Sequence, residues 1–561
     1  MNRRTALTLL AAAGQTVASK KLHAMLPTDR ANPTGRVATS AERSLAAGPF
    51  EPSWHSLKAH YKTPDWFRDA KFGIWAHWSA QCQPEEGDWY ARRMYIQGDS
   101  AYDYHVKTYG HPSKVGFKDI DMLWKAENWN PEGLMDLYQA AGARYFMGLA
   151  NHHDNFDCYN SKYHNWNSTK AGPMKDIVGI WSALCKKRGL RFGVSNHSSH
   201  AWNWFQTAYG YDAEGPLAGV RYDAFTSRTR LKNGLNPQEL YVGPSPNLVP
   251  PDGITSIAEM KAFHAKNSGV WDENPPCDDP EFANTWFLRC KDLLDTYQPD
   301  MLYFDDTELP LGQTGLDITA HFYNSNMARK GGKLEAVVFG KQFVPQHRGA
   351  AALDLERGRS NDILAIPWQT DTCIGDWHYN RHIFEKHTYK SAKTVIHMLA
   401  DIVSKNGNLC LNIPLKGDGT IDSDEREVLA GLASWMPING EAIYGTRPFK
   451  VYGEGPPDVV STGNFNEGKG RPYTAEDMRF TVKDGHLYAI AMGWPADGKL
   501  RIKSLNRNSK LLPAEITKVQ MLGDSTPLAM ERTSEALVVT LPTQKPNDIA
   551  YAFRITPSSG L

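Results

Sequence analysis

From residue 54 to residue 444 the chain alternates short, almost purely apolar runs with longer stretches whose apolar positions recur at helical spacing. The apolar runs cover 72–77, 145–151, 191–197, 301–306, 335–340, 363–368 and 409–413. A strand covered on both faces reads as a continuous apolar run, so these predict the parallel strands of an α/β fold. Of the intervening helices, 391–405 is the clearest. Val395, Leu399, Ile402 and Val403 share one face, and Asn406-Gly407 supplies the stop. Stretches 424–435 and 131–141 follow the same pattern, the second closed by Gly142. Alternation of this length predicts a (β/α)8-like barrel. The competing doubly wound sheet would carry a glycine-rich phosphate loop after its first strand, and no such loop follows 72–77.

Two segments depart from the rhythm. Between 204 and 279 lie Gly- and Pro-rich pieces such as Pro250-Pro251-Asp252-Gly253, which predict a loop excursion on the active face with one short helix near 257–266. After Pro448 short alternating runs appear at 478–482, 486–492, 499–502, 536–541 and 550–555. Separated by turn residues, they predict a C-terminal antiparallel β-sandwich. The N-terminus reads as an address. Arg3-Arg4 followed by an apolar stretch from Ala6 to Gly14, with Thr16-Val17-Ala18 as a small-residue cleavage site, resembles a twin-arginine export signal. The expected organisation is a leader at 1–18, a tether at 19–52, the barrel at 53–447 and the sandwich at 448–561. The expected location is periplasmic or extracellular. No stretch is apolar for long enough to span a membrane.

Composition narrows the function. Lys+Arg and Asp+Glu are both 62 in 561 residues, and a balanced chain lacks the basic footprint of a nucleic-acid binder. With 41 % hydrophobic and 22 % charged residues it is globular. The seven cysteines are scattered without a C-x-x-C pair, which predicts buried free thiols in place of a zinc site or disulfide framework. The 17 Trp, 24 Tyr and 21 Phe serve a large core first, and Trp faces also suit sugar rings.

Barrel function collects at the C-terminal strand ends. The first predicted strand ends in His77-Trp78, the second in Asn151-His152-His153-Asp154, the third in Asn196-His197. The run starting at 301 ends in Asp305-Asp306, and that starting at 363 in Trp368-Gln369-Thr370-Asp371. Neighbouring His152 and His153 point to opposite sides of a regular strand, so no metal is expected. No cofactor is expected either. Neutral imidazoles around a carboxylate suit recognition of hydroxyls. Glycoside hydrolysis needs two carboxyl groups, and Asp305 and Asp306 supply one, because both cannot face inward.

The segment 66–78, Trp-Phe-Arg-Asp-Ala-Lys-Phe-Gly-Ile-Trp-Ala-His-Trp, resembles the opening signature of the α-L-fucosidases of glycoside hydrolase family 29. Asp88-Trp89-Tyr90, His152-His153-Asp154-Asn155-Phe156, the stretch 297–305 ending in Phe304-Asp305, and the stretches 404–413 and 439–448 are similar to further family motifs. The resemblance implies a barrel followed by a β-sandwich and an exo-acting retaining enzyme that releases terminal α-L-fucose from an oligosaccharide or glycoconjugate. It implies Asp305 as nucleophile and His77, His152 and His153 as ligands of the sugar hydroxyls, with Trp89, Tyr303 and Trp368 completing the pocket. Glu356 is the expected acid/base, with Glu308 and Asp354 as substitutes; its other reading is a surface carboxylate paired with Arg357 or Arg359. Asn151, Asn155 and Asp306 depart from residues common in the family. An α-L-galactosidase and a non-catalytic sugar-binding protein are the alternatives. Oligomeric state is not legible.

Overall fold

A computed structural model describes residues 43–561 except 228, 244, 268–278 and 458–460. Eight parallel strands close into a barrel: β1 (Phe72–Ala76), β2 (Tyr145–Asn151), β3 (Arg191–Asn196), β4 (Met301–Thr307), β5 (Val337–Lys341), β6 (Ala352–Asp354), β7 (Trp368–Cys373) and β8 (Gly407–Asn412). β1 pairs with β8 in register Phe72↔Leu409, and this pairing completes the circle. Trp75, Tyr145, Met147, Met301, Tyr303, Val337, Phe339, Ala352 and Cys410 fill the interior as one buried cluster. Their strand neighbours Ile74, Phe146, Val194, Leu302 and Val338 face the helices. Gly73 leaves the space that the Tyr145 ring occupies, since a Cβ there would lie 2.2 Å from it. Truncating one of these interior aromatics to Ala costs about 3–5 kcal/mol.

The helices start and stop where local chemistry allows. The Ala392–Ser404 helix is capped by Ser391, which accepts from Thr394 N–H. Asn130 caps Pro131–Ala140 and proline fills its first turn. The chain leaves that helix through Gly142 at φ +100°, where any side chain would strike the Tyr444 hydroxyl.

Three expectations change. The run 363–368 is not a strand: β7 begins at Trp368, Ile366 is 46 % exposed, and Pro367 lacks the N–H that a central strand donates. The missing strand is β6, whose three residues are too few to show a period. Residues 43–52, expected as tether, lie on the barrel. Phe50 is buried, and Asn324 Nδ2 donates to the carbonyls of Ala46 and Phe50 at 3.0 and 2.8 Å. The leader and the rest of the tether lie outside the described residues.

The excursion after β3 folds into short helices, with Ile257–Lys266 the longest before the Pro280–Tyr297 helix. Beyond Thr446 the chain is antiparallel. Among the described residues it forms a five-stranded and a three-stranded sheet. β10 (Met478–Lys483), β11 (His486–Ala491), β12 (Lys499–Ile502), β15 (Leu537–Thr540) and β16 (Tyr551–Pro557) overlap the predicted runs. β9 (Arg447–Glu454), β13 (Ile516–Met521) and β14 (Met530–Arg532) are additional. Phe449, Phe480, Leu500, Val519, Val539 and Phe553 belong to their shared core. The six described cysteines are free and buried; Cys277 lies outside the described residues. Among the described residues no helix is long and apolar enough to cross a membrane.

Candidate active site

The eight strands deliver their polar ends to one mouth. Asp305 sits near the end of β4, and Lys341 ends β5. The loop after β6 carries Glu356, and the loop after β7 carries Trp377 and His378. Asn412 at the end of β8 ties this mouth together: its Oδ1 accepts from His77 N–H at 2.8 Å, and its Nδ2 donates to the Trp377 carbonyl at 2.9 Å.

At the centre the Lys341 ammonium bridges two carboxylates, donating to Asp305 Oδ1 and to Glu356 Oε2. One ammonium bonded to both keeps their nearest oxygens within about 6 Å, twice a hydrogen-bond length. The Trp377 indole donates to the other oxygen of Glu356 at 3.2 Å. His153 Nε2 and His197 Nδ1 lie 3.4 and 3.2 Å from Asp305 Oδ2. Strand alternation separates the acid pair. Asp306 turns away from the mouth, where its Oδ2 accepts from Ser199 Oγ at 2.8 Å.

The two carboxyls titrate apart. Recession from water pushes Asp305 upward, but the Lys341 ammonium and the bonds from His153 and His197 outweigh it and hold Asp305 well below the usual carboxylate range. Burial pushes Glu356 up to about 7, because Lys341 offsets only part of that cost and the neighbouring Asp305 charge adds to it. One group is ionised and the other holds a proton near neutrality, which is the division of roles that acid–base chemistry requires.

Imidazoles surround this pair. His77 stands 5.1 Å from both His152 and His197, and 4.8 Å from His378, ring centre to ring centre. Burial, then neighbouring rings, holds His77 and His152 well below the ordinary histidine value; His197 falls to about 4. They are therefore neutral. Both ring nitrogens of His77 are buried without a hydrogen bond among the described residues. A buried nitrogen of this kind is costly unless a ligand satisfies it. The donors of His77, His152 and His378 lie within 4.8 Å of one another, as do those of His152, His153 and His197. That spacing could hold a transition metal ion as well as hydroxyls. Gln81 Nε2 already engages His152 Nδ1 at 3.0 Å.

The sequence-derived candidates fare differently. Asp305, Glu356, His77, His152, His153 and Tyr303 converge here. Tyr303 is buried, with its hydroxyl donated to Asp371 at 2.9 Å, so it supports the floor. Trp89 is 38 % exposed at positive φ, beside Asp88, whose carboxylate accepts from Trp377 and His378 N–H. Trp368 does not belong to the mouth. It opens β7 at the opposite end of the barrel, faces the helix layer, and donates to the Lys405 carbonyl at 2.9 Å. Glu308 is engaged by Val344 N–H and His347, and Asp354 by Gln369 inside the barrel. Lys341, Trp377 and His378 escaped sequence reasoning. Lys341 is one residue past the predicted 335–340 strand, so the strand-end rule reaches it when the strand is taken one residue further.

The unusual residues have structural work. Asn151 Oδ1 accepts from the backbone of His197 and Ser198, both at 3.1 Å. Asn155 holds φ +62° and reaches the carbonyls of Glu239 and Leu240 in the excursion, at 3.0 and 3.1 Å. Asparagine tolerates that left-handed backbone better than most residues.

A family model described as "Alpha-L-fucosidase" matches residues 37–441, and "Alpha-L-fucosidase C-terminal domain" matches 471–556. The chain belongs to the α-L-fucosidase family. It is 27 % identical to the tissue α-L-fucosidase of Rattus norvegicus, over 93 % of this chain and 96 % of that one. It is 26 % identical to the plasma α-L-fucosidase of Homo sapiens over 85 % of each. The structure of Thermotoga maritima α-fucosidase in complex with a mechanism-based inhibitor superposes with TM-score 0.65, at 26 % identity, covering 90 % of this chain and 100 % of that one. Both the barrel and the antiparallel unit follow this fold, and the protein is a glycosidase of the α-L-fucosidase class, with a fucosylated glycan as substrate.

Proposed function

We propose that the protein is an exported, retaining exo-glycosidase in which Asp305 is the nucleophile and Glu356 the acid/base. The carrying observation is the Lys341 bridge. Nearest oxygens held within about 6 Å of one another favour the short carboxyl separation of retaining enzymes, roughly 5–5.5 Å, over the roughly 6.5–9.5 Å that leaves room for an inverting water. In the first step an Asp305 oxygen bonds to the anomeric carbon, the glycosidic C–O bond breaks, and the Glu356 proton passes to the departing oxygen. In the second step Glu356 takes a proton from water as the water oxygen displaces Asp305. His77, His152, His153 and His197 hold the sugar hydroxyls with neutral nitrogens and fix the ring for attack. Trp377 and Lys341 position Glu356, and Trp89 borders the opening. Export rests on the Arg3-Arg4 leader.

The test is hydrolysis of 4-nitrophenyl α-L-fucoside, with the α-L-galactoside in parallel, by wild type and Asp305→Ala. Expected are α-L-fucose as the first-released anomer by NMR and a loss of about 10⁴-fold or more in kcat for the variant. First release of the β anomer, or a variant that keeps its rate, overturns the assignment.

A further inference from the structure

The residues 461–467, between β9 and β10, are laced to the loop that carries Glu356. Phe465 N–H donates to the Glu356 carbonyl at 2.8 Å, Glu467 N–H to the Arg357 carbonyl at 2.9 Å, and Gly463 N–H to the Arg359 carbonyl at 3.3 Å. Arg359 and Gly463 form an antiparallel bridge. Asn466 accepts from Arg359 N–H at 2.8 Å and donates back to its carbonyl at 3.2 Å. Glu467 is anchored by the Thr372 hydroxyl at 2.6 Å and by Lys390 at 3.1 Å. A side chain on this segment is thus placed by a rigid ladder.

Phe465 occupies the middle of that ladder, at φ +52° and 55 % exposed. Of the described Phe and Trp side chains Phe465 is the most exposed, and only Trp89, at 38 %, is also exposed. A left-handed backbone costs a non-glycine residue about 1–3 kcal/mol and persists where its surroundings impose it. Here the bracing holds a large apolar ring in water, on a residue whose backbone is hydrogen-bonded to that of Glu356, the residue assigned to protonate the leaving group. Residues 442–470 fall between the two regions matched to the family.

The geometry points to Phe465 as a platform of the leaving-group subsite, receiving the pyranose ring to which fucose is attached. An aromatic face takes the C–H face of a sugar by the same dispersion and area burial that drive aromatic packing. The inference rests on the reading of Glu356 as acid/base. Its consequence is specificity: the fucose pocket lies within the barrel, and the C-terminal connection helps select what fucose is bonded to.

Phe465→Ala and Phe465→Trp separate this from a structural role. Each is compared with wild type on a fucosylated disaccharide and on α-L-fucosyl fluoride, whose leaving group has no ring. Phe465→Ala should raise KM for the disaccharide about three- to tenfold, the worth of one aromatic contact. It should leave kcat and KM for the fluoride and the melting temperature unchanged, and Phe465→Trp should keep the wild-type disaccharide KM. An unchanged disaccharide KM in Phe465→Ala overturns the subsite while leaving the fucosidase reading intact. An equal change on the fluoride also overturns it, because Phe465 would then act on the fucose pocket or the fold and not on the leaving group. A wild type that cleaves neither substrate sinks the fucosidase reading and the subsite with it.

Discussion

Two buried ion clusters, built from the same three-group plan, behave in opposite ways. In the active site one cation, Lys341, serves two carboxylates, Asp305 and Glu356. At the junction between barrel and C-terminal sheets one carboxylate, Asp401, serves two cations, with Lys405 Nζ at 2.8 Å and Arg479 Nε at 2.6 Å. Burial alone would push Asp401 upward, but its two cations hold it down at about 2. It is a fixed charge across the working range. The active-site cluster is one cation short, so one of its carboxyls carries the shortfall as a raised affinity for a proton. Lys405 also donates to the Ser360 carbonyl at 2.9 Å, so the junction cluster secures the far end of the loop that bears Glu356. Saturating a buried charge yields a brace; leaving it one partner short yields a titratable group.

The contrast can be broken most directly by deletion. Glu356→Ala should lower kcat on a disaccharide about 10²- to 10⁴-fold. The melting temperature should hold or rise, because the variant removes the unmatched carboxyl. A stable enzyme with unaltered kcat would end the acid/base assignment. Asp401→Asn should do the reverse. Removing one partner from a buried ion pair costs about 3–5 kcal/mol, read as a lowered melting temperature, with kcat near wild type at permissive temperature. Stability unmoved by this change would show that the junction charges are solvated in solution.

A finer test is pH. The folded value of Asp401 is depressed, so its contribution to stability is complete above the ordinary carboxylate value of about 4 and is lost as pH falls through about 2. Wild type should therefore lose melting temperature over that window, and Asp401→Asn should lose less. Activity follows the other cluster. Glu356 must hold its proton, so kcat/KM should fall as pH rises through about 7, while the acid limb, set by Asp305, should lie below the ordinary carboxylate range. Lys341 lowers both carboxyls, so Lys341→Met should move both limbs to higher pH. An alkaline limb that stays in place or moves down would separate Lys341 from Glu356.

Much of this was legible in the residues themselves. Continuous apolar runs at 72–77, 145–151, 191–197 and 301–306 marked four barrel strands, because a strand buried on both faces has no polar alternation to hide it. β6 was illegible at three residues, and the 363–368 run misled because Ile363, Leu364 and Ile366 are apolar yet lie in a loop ahead of β7. Strand ends marked His77, His152, His153 and Asp305. Trp368 was misplaced through the same error, since it begins a strand instead of ending one.

Local order, barrel class and the Asp305-Asp306 pair at a strand end came from the linear sequence, because periodicity and strand-end position are short-range properties of the chain, and the family resemblance singled out Asp305. Which of Asp305 and Asp306 faces the mouth follows from register, and the closed sheet decides register. The bridge from Lys341 to Glu356 spans two strands and a loop, and its charge balance depends on desolvation that only the folded barrel imposes. The contact of Phe465 with Glu356 joins residues 109 apart. No pattern in the chain announces it, because hydrogen bonds between backbones carry no side-chain signature.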